Sequence, residues 1–252
     1  ESQLDAGPIV PMVAAGDGTS FLLTDAGTVY SWGNQVNGRL GDGVTANRSR
    51  TQPAPLVGLD RIRQIAVGAA HGVALRQDGS VYVWGANGAG QLGNGQDGGE
   101  AGTPFRVSNL PDIVAVAAGA RFSLALARDG RLLAWGENAA GQLGTGDAEP
   151  HASPTQVQGL QDVTLIAAGG QQAFAVRRDG AVFAWGNNQD GQLGLGGELD
   201  GDAANVLRPR RITAFDAVRV RAIAVGTLKR SPSLPEVPTV AESGYPGFDA
   251  SL

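Results

Sequence analysis

Trp32, Trp84, Trp135 and Trp185 are each followed by glycine and stand 52, 51 and 50 residues apart. The wording around each pair recurs: VYSWGNQVNGRLGDG (29–43), VYVWGANGAGQLGNG (81–95), LLAWGENAAGQLGTG (132–146) and VFAWGNNQDGQLGLG (182–196). A repeat of this length argues against an ordinary irregular core, because each unit buries its apolar faces against its neighbours; it points to propeller blades or a related array. The stretch 81–95 holds no nucleophile, base or metal ligand, and four copies of one wording cannot be one active site. The repeat is scaffold.

Each unit opens with an apolar run closed by glycine: MVAAG (12–16), IAVGAAHGVAL (65–75), VAAGARFSLAL (116–126) and IAAGGQQAFAV (166–176). Small and large apolar residues alternate over strand-like lengths. An acidic-glycine turn follows at Asp25-Ala26-Gly27, Asp78-Gly79, Asp129-Gly130 and Asp179-Gly180, and it predicts a type I′ hairpin with positive φ at both central residues. The next strand ends in the Trp-Gly pair, with the indole as a wedge between sheets and the glycine as room for close backbone. Gly38, Gly90, Gly141 and Gly191 then lead to Leu40, Leu92, Leu143 and Leu193, each followed by Gly-x-Gly. These loops have no lysine and no following helix, so they read as turns that seat one leucine per unit in the core rather than as phosphate cradles. A proline-marked strand closes the unit at TPFRVSNL (103–110), SPTQVQGL (153–160) and RPRRITAF (208–215). The expected fold is all-β: about four four-stranded blades in units near 12–64, 65–115, 116–165 and 166–222, followed by a non-repeat tail at 227–252.

Composition narrows the chemistry. A net charge of -5, from 19 basic and 24 acidic residues, weighs against a surface built to neutralise nucleic-acid phosphates. The basic run LRPRRI, with Arg208, Arg210 and Arg211, alternates along a strand and reads as a solvent-facing edge. No apolar run approaches the ~20 residues that span a bilayer. Neither nucleic acid nor membrane is an expected partner. Cysteine is absent, which removes disulfides and thiolate sites. His71 and His151 sit in unlike parts of their units and give no triad. Glu198, Asp200 and Asp202 lack the twelve-residue calcium-loop pattern and read as a solvated loop. No metal, cofactor or catalytic residue is expected. The chain starts at Glu1 without methionine, which reads as a removed signal peptide, transit segment or expression tag; this leaves the compartment open, with a periplasmic or extracellular setting slightly favoured.

Strands ending in Ala-Gly or Val-Gly, the Asp-Gly turn, the Trp-Gly pair and Gly-Gln-Leu-Gly-x-Gly together resemble the repeats of the regulator of chromosome condensation family, over about residues 12–226. The resemblance implies a β-propeller used mostly as a protein-binding platform. Some members are nucleotide exchange factors for small GTPases, and related bacterial propellers include a secreted inhibitor of β-lactamases. The family's exchange factors use polar residues on one propeller face, among them positions just after the strand-closing glycine. The third residue after it is Thr19, His71, Phe122 or Gln172, and these four are the candidate binding positions. His71 alone matches the family's usual histidine, and it reads foremost as a hydrogen-bonding residue within the blade. Family propellers usually close with seven blades, roughly 350 residues at this period; four units and the opening of a fifth at AIAVG (222–226) predict an open or incomplete propeller.

The tail beyond that point lacks the turn and the Trp-Gly pair. KRSPSLPEVPTVAESGYPGFDAS is similar to a segment near the C-terminus of periplasmic receptors that feed tripartite tricarboxylate transporters, though it carries no ligand-contacting motif of theirs. Leu234, Val237, Val240, Tyr245 and Phe248 are expected to anchor it on an open blade face, which the N-terminal segment ESQLDAGPIVP, or a second chain by self-association, can also cover. The leading functional expectation is a non-enzymatic protein-interaction module with variable loops at 44–52, 96–103, 147–153 and 197–207. The alternatives are a guanine nucleotide exchange factor and the remnant of a carboxylate-binding receptor.

Overall fold

The computed structural model describes residues 8–196, 205–216, 218 and 220–223. The loop at 197–204, with its three acidic residues, and the tail at 227–252, with its expected anchors and its receptor likeness, lie outside the described residues. The remainder forms four antiparallel sheets of four strands, each in sequence order. The first blade comprises β1 (Met12–Gly16), β2 (Thr19–Leu23), β3 (Val29–Asn34) and β4 (Ser49–Pro55). The second comprises β5 (Ile62–Val67), β6 (His71–Arg76), β7 (Val81–Ala86) and β8 (Glu100–Arg106). The third comprises β9 (Ile113–Ala118), β10 (Phe122–Ala127), β11 (Leu132–Gly136) and β12 (His151–Gln156). The fourth comprises β13 (Val163–Gly169), β14 (Gln172–Arg177), β15 (Val182–Asn187) and β16 (Asn205–Arg211). Successive blades pack on one another, while no substantial contact joins the first to the fourth among the described residues. The array is open.

Two local features differ from the sequence reading. The hairpins are not type I′. In the second blade Gly79 N–H bonds Arg76 O at 3.0 Å and Arg76 N–H bonds Ser80 O at 2.9 Å, which encloses a three-residue loop. Only its glycine has positive φ, +83°, so this is a helical turn closed by one left-handed residue. The aspartate serves another purpose: Asp78 Oδ1 accepts the Ser80 N–H at 3.0 Å, as Asp129 does from Arg131 at 3.1 Å and Asp179 from Ala181 at 3.1 Å. Its carboxylate closes the turn from its side chain, so its backbone stays right-handed. The fourth strand also starts earlier than its proline suggests, at Glu100, His151 and Asn205. Pairing with the third strand jumps beside the Trp-Gly pair and resumes at Ala54, Phe105, Thr155 and Arg210. Pro53, Pro104, Pro154 and Pro209 each stand one residue before the resumption, where an irregular outer strand needs no ladder donor.

The core lies between blades, not within them. Phe21, Leu23, Val29 and Leu40 of the first blade pack on Ile62, Ile65, Ala74 and Trp84 of the second. Val73, Leu75 and Leu92 meet Ile113, Val116 and Trp135, and Leu124, Leu132 and Leu143 meet Ala173, Ala175 and Trp185. All four repeat leucines are buried, as are three of the four tryptophans; Trp32 is half-buried. Val220 and Ile223, which open the fifth unit, pack against the cluster that includes the fourth blade.

Candidate partner-binding face

Strand register divides the loops between two faces. Residues 17–18, 69–70, 120–121 and 170–171 join the first two strands of each blade, on the same side as the long loops between third and fourth strands. The hairpins at 24–28, 77–80, 128–131 and 178–181 lie on the opposite side, with the inter-blade connections. The variable segments 44–52, 96–103 and 147–153 therefore share the first, loop-bearing face.

Backbone bonds tie that face together around the axis. Asp17 N–H bonds Ala69 O at 3.2 Å, Ala69 N–H bonds Ala120 O at 2.9 Å and Ala120 N–H bonds Gly170 O at 2.8 Å. Outward from the axis, the glycine-rich loop of each blade reaches the outer strand of the next: Gly43 N–H to Gly102 O, 2.7 Å; Gly95 N–H to Ala152 O, 2.9 Å; Gly146 N–H to Leu207 O, 2.9 Å. Between these, three of the four repeat indoles donate N–H to the carbonyl of the residue before the preceding blade's repeat leucine: Trp84 to Arg39 at 3.1 Å, Trp135 to Gln91 at 2.9 Å and Trp185 to Gln142 at 2.9 Å. The glycine-rich loops thus spend amides on neighbouring blades, which accounts physically for their reading as structure rather than anion cradle.

A buried asparagine organises each of these loops. Asn87, Asn138 and Asn188 follow the Trp-Gly pair by two residues and accept the N–H of Leu92, Leu143 and Leu193 at 3.0, 2.9 and 3.0 Å. The first blade has Gln35 there, which bonds Asp42 at 2.6 Å. These asparagines were missed in reading the sequence, although their fixed place after Trp-Gly signalled them.

The four positions after the strand-closing glycine start the second strand of each blade. Thr19, His71 and Phe122 are buried and Gln172 is half-buried. A Cβ at Gly68 would overlap the His71 ring, and one at Gly119 the Phe122 ring, so the glycine exists to admit the side chain three residues on. Ser123 Oγ donates to Gln91 O at 3.0 Å, so the 3.1 Å contact between Ser123 and His71 Nε2 runs from imidazole N–H to hydroxyl. His71 thereby bridges the second and third blades. Burial pushes its pKa down to about 4, against an upward pull from the Phe122 backbone. Among the described residues its Nδ1 has no partner.

What the loop-bearing face does expose is a cleft of about 590 Å³ that spans three blades. Its lining includes Asn37, Ala69, Ala70 and Gly88, and Glu100 and Arg121 bring opposite charges to it. Arg121 is held by Glu137 at 3.2 Å, and Gln142 donates to the other oxygen of that carboxylate at 3.2 Å. A cleft that carries charges of both signs suits a polypeptide segment with charged side chains of its own. A smaller cleft of about 360 Å³ on the hairpin side lies between residues 78–81 and 106–112. On the outermost strand of the fourth blade, Arg211 pairs with Asp216 at 2.9 Å.

Similar proteins agree with this architecture. Residues 1–229 match the family model described as RCC1-like domain. Over 139 residues the chain is 38% identical to the human probable E3 ubiquitin-protein ligase HERC6, and over 144 residues 35% identical to the ultraviolet-B receptor UVR8 of Arabidopsis thaliana. These alignments cover 54% and 56% of this chain but 14% and 32% of the relatives. Among solved structures, yeast RCC1 (Prp20) bound to Kap60 superposes with a TM-score of 0.68 at 28% identity, covering 80% of this chain and 48% of that one. Human WBSCR16 superposes with a TM-score of 0.73 at 27% identity, covering 86% and 58%. The chain therefore spans about half of those propellers and less of the curated relatives. Repeat anatomy, blade construction and these likenesses converge: the chain belongs to the RCC1-like domain family.

Proposed function

We propose that the chain is a non-enzymatic protein-interaction module whose loop-bearing face holds a partner segment in the cleft between Asn37, Glu100 and Arg121. The observation that carries this reading is that cleft, built from three blades at once and rimmed by loops that differ from unit to unit. The repeated side chains beneath it are engaged in joining blades, which leaves recognition to the variable residues above. The solved relative Prp20 has a protein, Kap60, bound, and the same protein is described with binding properties toward Gsp1p and histones; a protein partner is the reading this supports for the present chain.

Cross-linking pull-down tests it, with the unaltered chain, the double variant Arg121→Glu with Glu100→Lys, and Arg128→Glu on the hairpin side as control. A specific protein recovered by the unaltered chain and the control but lost with the double variant is expected. Equal recovery by all three, or no specific protein, overturns the proposal. Accelerated nucleotide release from any small GTPase would overturn the non-enzymatic part and favour an exchange factor.

A further inference from the structure

One position in the second blade sets the cleft apart from its neighbours. Asn34, Ala86, Glu137 and Asn187 each follow a Trp-Gly pair, and each donates its backbone N–H to the carbonyl of the residue before the blade's second strand: Gly18 at 2.8 Å and Ala70, Arg121 and Gln171 at 2.9 Å. The four sites are equivalent in backbone, yet only three carry an acceptor side chain. In the third blade the Glu137 carboxylate takes Arg121 on one oxygen and Gln142 Nε2 on the other, both at 3.2 Å. In the fourth a single oxygen, Asn187 Oδ1, accepts the Gln189 N–H at 2.9 Å and Gln192 Nε2 at 3.2 Å. In the first, Asn34 Oδ1 accepts the Val36 N–H at 2.9 Å. The second blade has only the methyl group of Ala86.

The donors those acceptors serve are still in place there. Gln91 stands where Gln142 and Gln192 stand, and its Oε1 accepts the Ala89 N–H at 2.9 Å, as theirs accept the N–H of Ala140 and Asp190 at 2.8 and 2.9 Å. That bond fixes Nε2 as the free end of the amide. Gln91 is 2% exposed, so an unpaired donor on it is costly, yet among the described residues Nε2 has no partner, and neither has the Gly88 N–H, the counterpart of the Gln189 N–H. Both residues line the cleft. The Arg121 guanidinium stands beside them, 3.4 Å from where a Cβ on Gly88 would lie. Its charge is already answered by Glu137, whereas Glu100, exposed in the same cleft, makes no ion pair among the described residues. The charge left over is negative, which disfavours an anionic acceptor and suits a neutral one accompanied by a cation.

We infer that the Gly88 N–H and Gln91 Nε2 form a two-donor seat for an amide carbonyl oxygen of a bound polypeptide, standing where Asn187 Oδ1 stands in the fourth blade, and that a basic side chain of the same segment meets Glu100. The inference rests on the cleft being the partner-binding site and names what the partner brings to it. The third and fourth blades fill the corresponding seats with Glu137 and Asn187, so the second blade alone of these three holds its donors for an outside oxygen. Gln91 is thereby a specificity-determining residue: it selects a segment whose carbonyl reaches into the cleft, since one that leaves this buried donor unpaired binds more weakly.

Panning a phage-displayed random peptide library on the 252-residue chain supplies the probes, and each selected peptide is titrated against the unaltered chain and variants whose folding circular dichroism confirms. Peptides carrying Lys or Arg are expected, and they should shift the Gln91 side-chain and Gly88 backbone amide resonances. Ala86→Asn fills the seat from within, as Asn187 does, without changing charge, and should weaken binding by about tenfold or more. Ala86→Glu, copied from the third blade, should do the same and serves if the first variant misfolds. Replacing the basic residue of the peptide with alanine should weaken binding to the unaltered chain by a similar factor and leave binding to Glu100→Gln unchanged. Peptides lost with the Arg121→Glu, Glu100→Lys double variant but indifferent to both Ala86 variants, or peptides with only acidic side chains, would overturn the seat while leaving the cleft as the binding site. Peptides indifferent to all of these variants, or no selected peptide at all, would overturn both.

Discussion

Acidification should loosen the junction between the second and third blades through His71. Its folded-state pKa is about 4 against an ordinary value of 6.5, with burial as the main cause. A histidine depressed in the folded state binds fewer protons than in the unfolded chain between those values, so its effect on stability is least above pH 6.5 and grows as pH falls toward 4. At about 1.4 kcal/mol per pH unit where the two states differ fully, going from pH 7 to about pH 4.5 removes about 2 kcal/mol of unfolding free energy. The perturbation is His71→Gln, whose amide N–H reaches toward Ser123 without titrating. Urea unfolding of both proteins at the two pH values isolates the effect, because His151 and the carboxylates are common to both and cancel. The gap between the proteins should shift by about 2 kcal/mol in favour of the variant at the lower pH. A gap unchanged between the two pH values would refute the argument, since a buried neutral imidazole cannot be pH-indifferent across that interval.

Asn138→Ala should cost about 3 kcal/mol in the same assay, because it strands the buried Leu143 N–H and releases the Asp147 contacts at 3.0 and 2.8 Å. Trp84→Phe should cost about 1 kcal/mol more than Trp135→Phe: the Gln91 carbonyl keeps its Ser123 donor when Trp135 is lost, whereas Arg39 has only Trp84, since glycine stands at 72. Equal losses for the two tryptophan variants would show that the second donor contributes nothing.

The blade is legible in the amino-acid order alone. The spacing of the Trp-Gly pairs, the alternating apolar runs and the turn glycines are local signals, and a unit that cannot bury both faces alone must repeat its solution beside itself. It also marked the leucines that the core takes and the loops that differ. The contacts between units are not legible there and follow from packing. The partnership of His71 with Ser123 joins positions 52 residues apart, and no local pattern announces which repeat positions meet across a junction. The hairpin type was hidden because Asp-Gly suits two turns, and the choice fell to a side-chain bond from Asp78 to Ser80 that keeps the aspartate right-handed. Thr19, His71 and Phe122 stood out as recurring positions, yet recurrence marks burial as readily as recognition, and packing set them in the interior. The cleft beside Arg121 belongs to three blades at once, so it exists only after the blades have set their mutual angle.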